Sequence, residues 1–228
     1  MTSNPSEKDI LALETIAELK NYNGYTFNLI YQNISGKNIL DFGSGYGVFC
    51  QYMAKKGYQV DGYEINKDAF LESKKRGVNT YSELNNINKK FDTITSSNVL
   101  EHIEDDVNAI NEMRSLLVDE GILILYLPAS EIVWTKMDDD VNHHRRYSKK
   151  DLHSKLKSAN FEILESRYVD FIGWFTLIIF KILKIQPKFN KKLIIFYDKV
   201  FFKFLKYLDI VFKNLIGKNI LVVAKKLV

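Results

Sequence analysis

Cysteine is nearly missing from this chain. Cys50 is the only one in 228 residues, so no disulfide can form within the chain and no cysteine-based zinc site can be built. A reducing compartment is the default expectation. The opening residues, Met1 to Lys8, hold no apolar core behind a basic end, so no secretory signal is expected. That points to the cytoplasm. Phe171 to Phe180 carries no charge, yet ten residues are too few to span a bilayer as a helix. Arginine is absent after Asp170. From there to the end the chain has twelve lysines and three aspartates, a net of +9, against −5 for residues 1–169. One end or face of the molecule is therefore basic.

Three glycines in five residues are the strongest feature. Asn38-Ile39-Leu40-Asp41-Phe42 reads as a short apolar strand that runs into Gly43-Ser44-Gly45-Tyr46-Gly47-Val48 and then a helix. Glycine tolerates positive φ and keeps Cβ atoms away, so a ligand can lie on the backbone of such a turn. A dinucleotide fingerprint, G-x-G-x-x-G, would need a third glycine at position 48, where this chain has Val48. The third glycine comes one residue early. This spacing, with Asp41 two residues ahead of it, resembles motif I of class I S-adenosylmethionine (SAM)-dependent methyltransferases. An acid suits the ammonium of SAM and would repel a pyrophosphate. The next strand, Tyr58 to Tyr63, ends in Glu64-Ile65, where a carboxylate can accept from both ribose hydroxyls of an adenosine.

Strands and helices alternate through residue 127, which predicts a parallel sheet with helices on both faces and ligands at the strands' carboxyl ends. Asp41, Glu64 and Asn98 all fall at such ends. The run Phe91-Asp92 to Ser97-Asn98-Val99-Leu100-Glu101-His102-Ile103, with Gly121 and Leu127-Pro128, looks like the fourth and fifth strand motifs of the methyltransferase branch acting on small molecules, quinone-like lipids and sugars. Val133-Trp134 to Asp138, followed by Asn142-His143-His144-Arg145-Arg146-Tyr147-Ser148, is similar to a G-H-x-R-R-Y loop of a bacterial subgroup. Asn142 stands where that loop usually has glycine.

The resemblance implies an α/β fold: a Rossmann-like, seven-stranded, mostly parallel sheet with a helical insertion between the last two strands. Residues 1–34 would form helices capping the cofactor site, with Tyr22 or Tyr25 touching SAM or simply packing. Residues 35–170 would be the SAM-binding core, 171–216 a basic, aromatic-rich insertion, and 217–228 the final strand. Asp41, Gly43, Ser44, Gly45, Gly47, Glu64, Ile65, Asn98 and Leu100 would hold SAM. His102 and His143 are the candidate bases, since imidazole accepts a proton near neutral pH. Arg145, Arg146 and Tyr147 would grip an anionic or hydroxylated substrate, or pin their loop to the sheet. No metal is expected, because adjacent histidines beside Asp138, Asp139 and Asp140 lack metal-ligand spacing.

Placed at 100° per residue, residues 192–215 put five lysines on one arc and Ile194, Tyr197, Phe201, Phe204, Leu208, Phe212 and Leu215 opposite, with Phe196, Phe202 and Ile210 breaking the polar face. A core-facing helix, an anionic membrane surface at the inner face of the membrane, an anionic lipid substrate and a homodimer interface all fit. The function expected is methyl transfer from SAM to a small-molecule, sugar or lipid-linked acceptor. Nucleic acid is not an expected partner, for neither an amino-methylase motif nor a placed nucleophilic cysteine is present. The rivals are an NAD(P)-dependent oxidoreductase and a non-catalytic scaffold that binds a membrane or partner.

Overall fold

The computed structural model describes residues 11, 14, 15, 17–185, 191–200, 202, 206–212 and 214–228. Seven strands form one sheet in the order β3-β2-β1-β4-β5-β7-β6. The strands are β1 (Asn38–Phe42), β2 (Gln59–Tyr63), β3 (Asn79–Tyr81), β4 (Phe91–Ser97), β5 (Leu117–Pro128), β6 (Phe161–Val169) and β7 (Asn219–Lys226). All neighbours pair in parallel except β7, which runs antiparallel to both β5 and β6. The strand order reverses between β1 and β4. In an open sheet of this kind a ligand crevice lies outside the carboxyl ends of the strands at that reversal.

Helices cover both faces. They are α1 (Lys20–Tyr31), α2 (Val48–Ala54), α3 (Lys67–Lys75), α4 (Asp106–Leu116), α5 (Lys136–Asp140), α6 (Lys149–Ser158), α7 (Phe171–Ile182), α8 (Lys191–Val200) and α9 (Asp209–Phe212). The period-two alternation of the strands divides the core between the faces. Leu40, Phe42, Ile94 and Leu123 pack with Ile110 and Met113 of α4 and Leu152 and Leu156 of α6. Ile39, Ile124 and Tyr126 pack with Leu29 and Ile30 of α1 and Phe49 and Met53 of α2. Helix starts follow local chemistry, with Asn66, Asp105 and Ser148 each accepting from backbone N–H groups of the first turn.

The insertion differs from the single amphipathic helix expected over residues 192–215. Among the described residues this stretch consists of α8, a tight turn at Lys206–Leu208 and the short α9. The inside and outside residues also differ. Phe202, counted on the polar side, is buried edge-on against Tyr22 and Tyr25, whereas Leu208 and Leu215 are exposed. Lys203, Lys213, Phe201 and Phe204 lie outside the described residues. No helix among the described residues is long and apolar enough to cross a membrane.

Candidate functional site

Three loops meet at the strand-order reversal. After β1 the chain passes through Gly43, Gly45 and Gly47, at φ of 82°, 50° and 72°. Two of these glycines answer to the protein's own packing. A Cβ on Gly43 would sit 2.3 Å from Cγ2 of Val99 in the loop after β4, and one on Gly47 would meet Ser73 Oγ at 2.7 Å. Gly62 in β2 is similarly committed, since its Cβ would fall 2.5 Å from Ser44 Oγ. The turn is thus pressed against β2, α3 and the β4 loop.

Glu64, at the tip of β2, reaches across to this turn. Its Oε2 accepts from Gly45 N at 2.7 Å and its Oε1 from Asn66 N at 2.8 Å. Burial holds its pKa above the ordinary carboxylate range, and these backbone donors offset part of that rise. Each carboxylate oxygen keeps a lone pair beyond these bonds. Beside it, Ile65 is 62 % exposed, an apolar face at the mouth of the crevice. Ser44 Oγ is buried without a hydrogen-bond partner. An orphaned hydroxyl, a doubly anchored acid and an exposed apolar side chain around a glycine turn fit the adenosine half of SAM.

Asp41 is placed differently from its expected contact with an ammonium. It is enclosed between β1, β4 and α2, with Oδ1 accepting from Thr95 Oγ1 at 2.9 Å and Oδ2 facing Cys50 Sγ at 3.8 Å. Burial raises its pKa to about 7. It braces the turn from beneath. After β4, Asn98 adopts a left-handed φ of 53° and its N–H donates to Tyr126 O at 2.8 Å. Leu100 is fully buried.

The loop following β5 brings a second group of residues to the same edge of the sheet. A capping box at Thr135 and Asp138 starts α5. Asp138 then gathers donors: His143 Nδ1 at 2.9 Å and Arg146 Nε at 2.8 Å both reach its Oδ1. Burial alone would raise the Asp138 pKa, but the His143 and Arg146 bonds outweigh it and hold it at about 2. An ionised carboxylate only accepts, so His143 Nδ1 carries a proton and Nε2 is the ring nitrogen turned away from Asp138. Nε2 lies 3.9 Å from Glu101 Oε1, and the rings of His102 and His143 meet edge-to-face at 4.7 Å. Glu101 is fully buried, with neither oxygen hydrogen-bonded, and burial pushes its pKa to about 8. Ligand atoms of Glu101, His102 and His143 all lie within 4.8 Å of one another, a donor set that could hold a cation although none was expected from the sequence. Adjacent spacing along the chain hid it, because the set spans two loops.

Of the two roles expected for Arg145, Arg146 and Tyr147, gripping a substrate or pinning their loop, the contacts support the second. Arg146 is buried on Asp138 and Ala129 O. Arg145 donates to Ile103 O and Glu104 O and pairs with Asp106, which also receives the Tyr147 hydroxyl and Lys155. Tyr147 has no exposed surface. Their donors are spent on pinning the loop to the β4 and β5 ends. Asn142, in the glycine position of the loop, sits at φ 55°; asparagine tolerates that left-handed region better than most side chains. Tyr22 and Tyr25 pack against the insertion, with the Tyr25 hydroxyl donating to Asp209.

The sequence model of a methyltransferase domain matches residues 16–166. The chain belongs to the methyltransferase domain family. Its fold is that of class I SAM-dependent methyltransferases. A ubiquinone biosynthesis O-methyltransferase of Glaesserella parasuis is 29 % identical over 110 residues, 40 % of this chain and 44 % of that protein. One from Haemophilus ducreyi is 28 % identical over 121 residues, 45 % of this chain and 51 % of that protein. The chain thus spans about half the length of the curated relatives it matches. Among solved structures, a SAM-dependent methyltransferase from Archaeoglobus fulgidus superposes with a TM-score of 0.60 at 16 % identity, covering 91 % of this chain and 94 % of that one. A chain of the complex between the Haloferax volcanii Trm112 methyltransferase activator and a methyltransferase gives 0.69 at 11 %, covering 99 % and 98 %. At these identities the structural likenesses speak for the fold.

Proposed function

We propose that this protein transfers a methyl group from SAM to a small-molecule or lipid-linked acceptor. The observation that carries it is Glu64, whose two oxygens are fixed by Gly45 and Asn66 at the glycine turn. That position suits the ribose of an adenosine. SAM, once bound, supplies an electrophilic methyl, so no nucleophilic side chain is required. What the protein must provide is position, dryness and a proton acceptor. Ser44, Gly45, Glu64 and Ile65 would hold the cofactor, with Asp41 and the backbone at Asn98 and Leu100 supporting the cradle.

His143 is the proposed base. Its tautomer is set by ionised Asp138, which leaves Nε2 to take a proton from an acceptor hydroxyl or amine at the crevice. Glu101 and His102 line the same space. The ubiquinone-pathway relatives are named as O-methyltransferases, which favours a hydroxyl acceptor. A thermal-shift comparison tests the cofactor choice: SAM and S-adenosylhomocysteine should raise the melting temperature and NADH should not. A shift with NADH alone would favour an oxidoreductase and overturn the proposal.

A further inference from the structure

Residues 171–216 lie outside the segment that the family model matches, and the architecture puts them at the crevice edge of the sheet. Val169 and Pro128 both pair with Asn219. The insertion therefore leaves β6 and returns to β7 at the level where β5 ends. It is fastened there by side chains. Trp174 Nε1 donates to Ser130 Oγ at 3.2 Å, and Lys181 Nζ donates to Ile132 O at 2.7 Å. Asp198 accepts from the backbone N–H groups of Asn21 and Tyr22, and Phe202 packs under the same helix.

The outward surface is unlike the rest of the molecule. Among the described residues, thirteen of the twenty large apolar side chains left exposed belong to this insertion, which is about a fifth of the chain. They fall at helical spacing. Phe175, Ile179 and Ile182 form one stripe of α7, and Leu193, Phe196 and Val200 one stripe of α8. No side chain of α7 is fully buried. Patterned apolar stripes that face solvent mark a surface that is covered in use.

Charge identifies the covering. The only acids after residue 169 are Asp170, Asp198 and Asp209, and all three point inward. Asp170 caps α7 at Gly173 N and pairs with Lys218. Asp198 holds the start of α1, and Asp209 accepts from Asp170 N, Phe171 N and the Tyr25 hydroxyl. Among the described residues no lysine of the insertion is paired with an acid of the insertion, and Lys191 is offset from outside it, by Glu14 and Glu18. In a two-fold dimer the same patch would face itself, setting lysines against lysines, and lysine is depleted from protein interfaces. An anionic bilayer takes both halves of the pattern, apolar side chains in the headgroup boundary and lysines against the lipid charge.

We propose that α7, α8 and the described residues between α8 and β7 form a docking surface for an anionic bilayer, which holds the mouth of the crevice against the membrane. Twelve residues of α7 extend roughly 18 Å at 1.5 Å per residue, short of a bilayer core of about 30 Å. The helix lies on the surface and does not pass through it. Docking stands independently of methyl transfer; that an acceptor enters from the bilayer rests on the methyl-transfer proposal as well.

The test is co-sedimentation of the full chain with vesicles of phosphatidylcholine alone or of phosphatidylcholine with phosphatidylglycerol, alongside two variants. Ile182→Ser/Ile210→Ser removes exposed apolar groups, 72 % and 69 % exposed, and Lys192→Gln/Lys199→Gln removes two exposed charges. The wild type should bind the anionic vesicles and spare the neutral ones. The lysine variant should partition about thirtyfold less well, taking each lysine's share near an anionic surface, and the serine variant should also lose binding. S-adenosylhomocysteine affinity should stay unchanged in both, which separates docking from the cofactor site. Binding to neither vesicle, equal binding to both, or wild-type binding by both variants would overturn the proposal. So would a stable dimer in sedimentation velocity that the serine variant dissociates, because the surface would then be covered by a second copy.

Discussion

Asp138→Asn should destabilise the protein at neutral pH by about 2–4 kcal/mol, with most of the loss gone in acid. The carboxylate is 2 % exposed and serves His143 Nδ1, two nitrogens of Arg146 and Thr135 N. Asparagine keeps the shape but not the charge, and Arg146, itself buried, is left without a counter-ion; breaking a buried pair from one side costs roughly 3–5 kcal/mol. Linkage gives the same order. The native pKa is about 2 against 3.8 for the ordinary aspartate, which at ~1.36 kcal/mol per unit contributes about 2 kcal/mol. A depressed native pKa gives stability that is present above pH 3.8 and is lost as pH falls through 2. By pH 3 roughly half of it should remain. Urea unfolding of both proteins at pH 7 and pH 3 reads this directly. A difference below about 1 kcal/mol at pH 7, or one of equal size at the two pH values, would refute the assignment of Asp138 as the charged centre of this loop.

Other outcomes follow from the same geometry. Glu101→Gln should leave the melting temperature unchanged at pH 4 and raise it by a growing margin up to pH 8 to 9. Burial lifts the Glu101 pKa from 4.5 to about 8, so the wild type loses stability as pH climbs between those two values and glutamine does not; identical melts at pH 9 would contradict it. Gly43→Ala should cost at least about 2 kcal/mol in urea unfolding, from positive φ and contact with Val99. Adding Val99→Ala should recover the steric part and leave the backbone part. His143→Gln should lower methyl transfer from radiolabelled SAM by roughly 10²- to 10⁴-fold while S-adenosylhomocysteine affinity is kept; unchanged turnover would remove His143 as base.

The sheet was legible because its signals are local. Glycine stops and apolar runs mark each element, and the edges of β4, β6 and β7 fall where the residues imply. The glycine turn proposed to hold the cofactor was legible as a turn for the same reason, its glycines and Glu64 lying next to strand ends. Long-range partners were not. Nothing in the spacing of Asp138, His143 and Arg146 says that one carboxylate takes donors from both others, although Thr135-x-x-Asp138 carries the capping pattern that locates the helix start. Asp106 gives no sequence sign of receiving Arg145, Tyr147 and Lys155. Arginines that looked free to meet a substrate are consumed by acids distant in sequence. In the insertion, helical periodicity ran through residues where the chain turns, so the faces were assigned as if the axis were straight, and Phe202 was placed outside.

The central claim is that the nucleoside of SAM lies on the Gly43–Gly47 turn with its ribose held by Glu64. Isothermal calorimetry with S-adenosylhomocysteine on wild type and Glu64→Ala tests it most directly. The wild type should bind, and the variant should bind about 10- to 150-fold more weakly, the equivalent of roughly 1.5–3 kcal/mol for lost charged hydrogen bonds. Equal affinity in the two proteins, or no heat from the wild type, would contradict it.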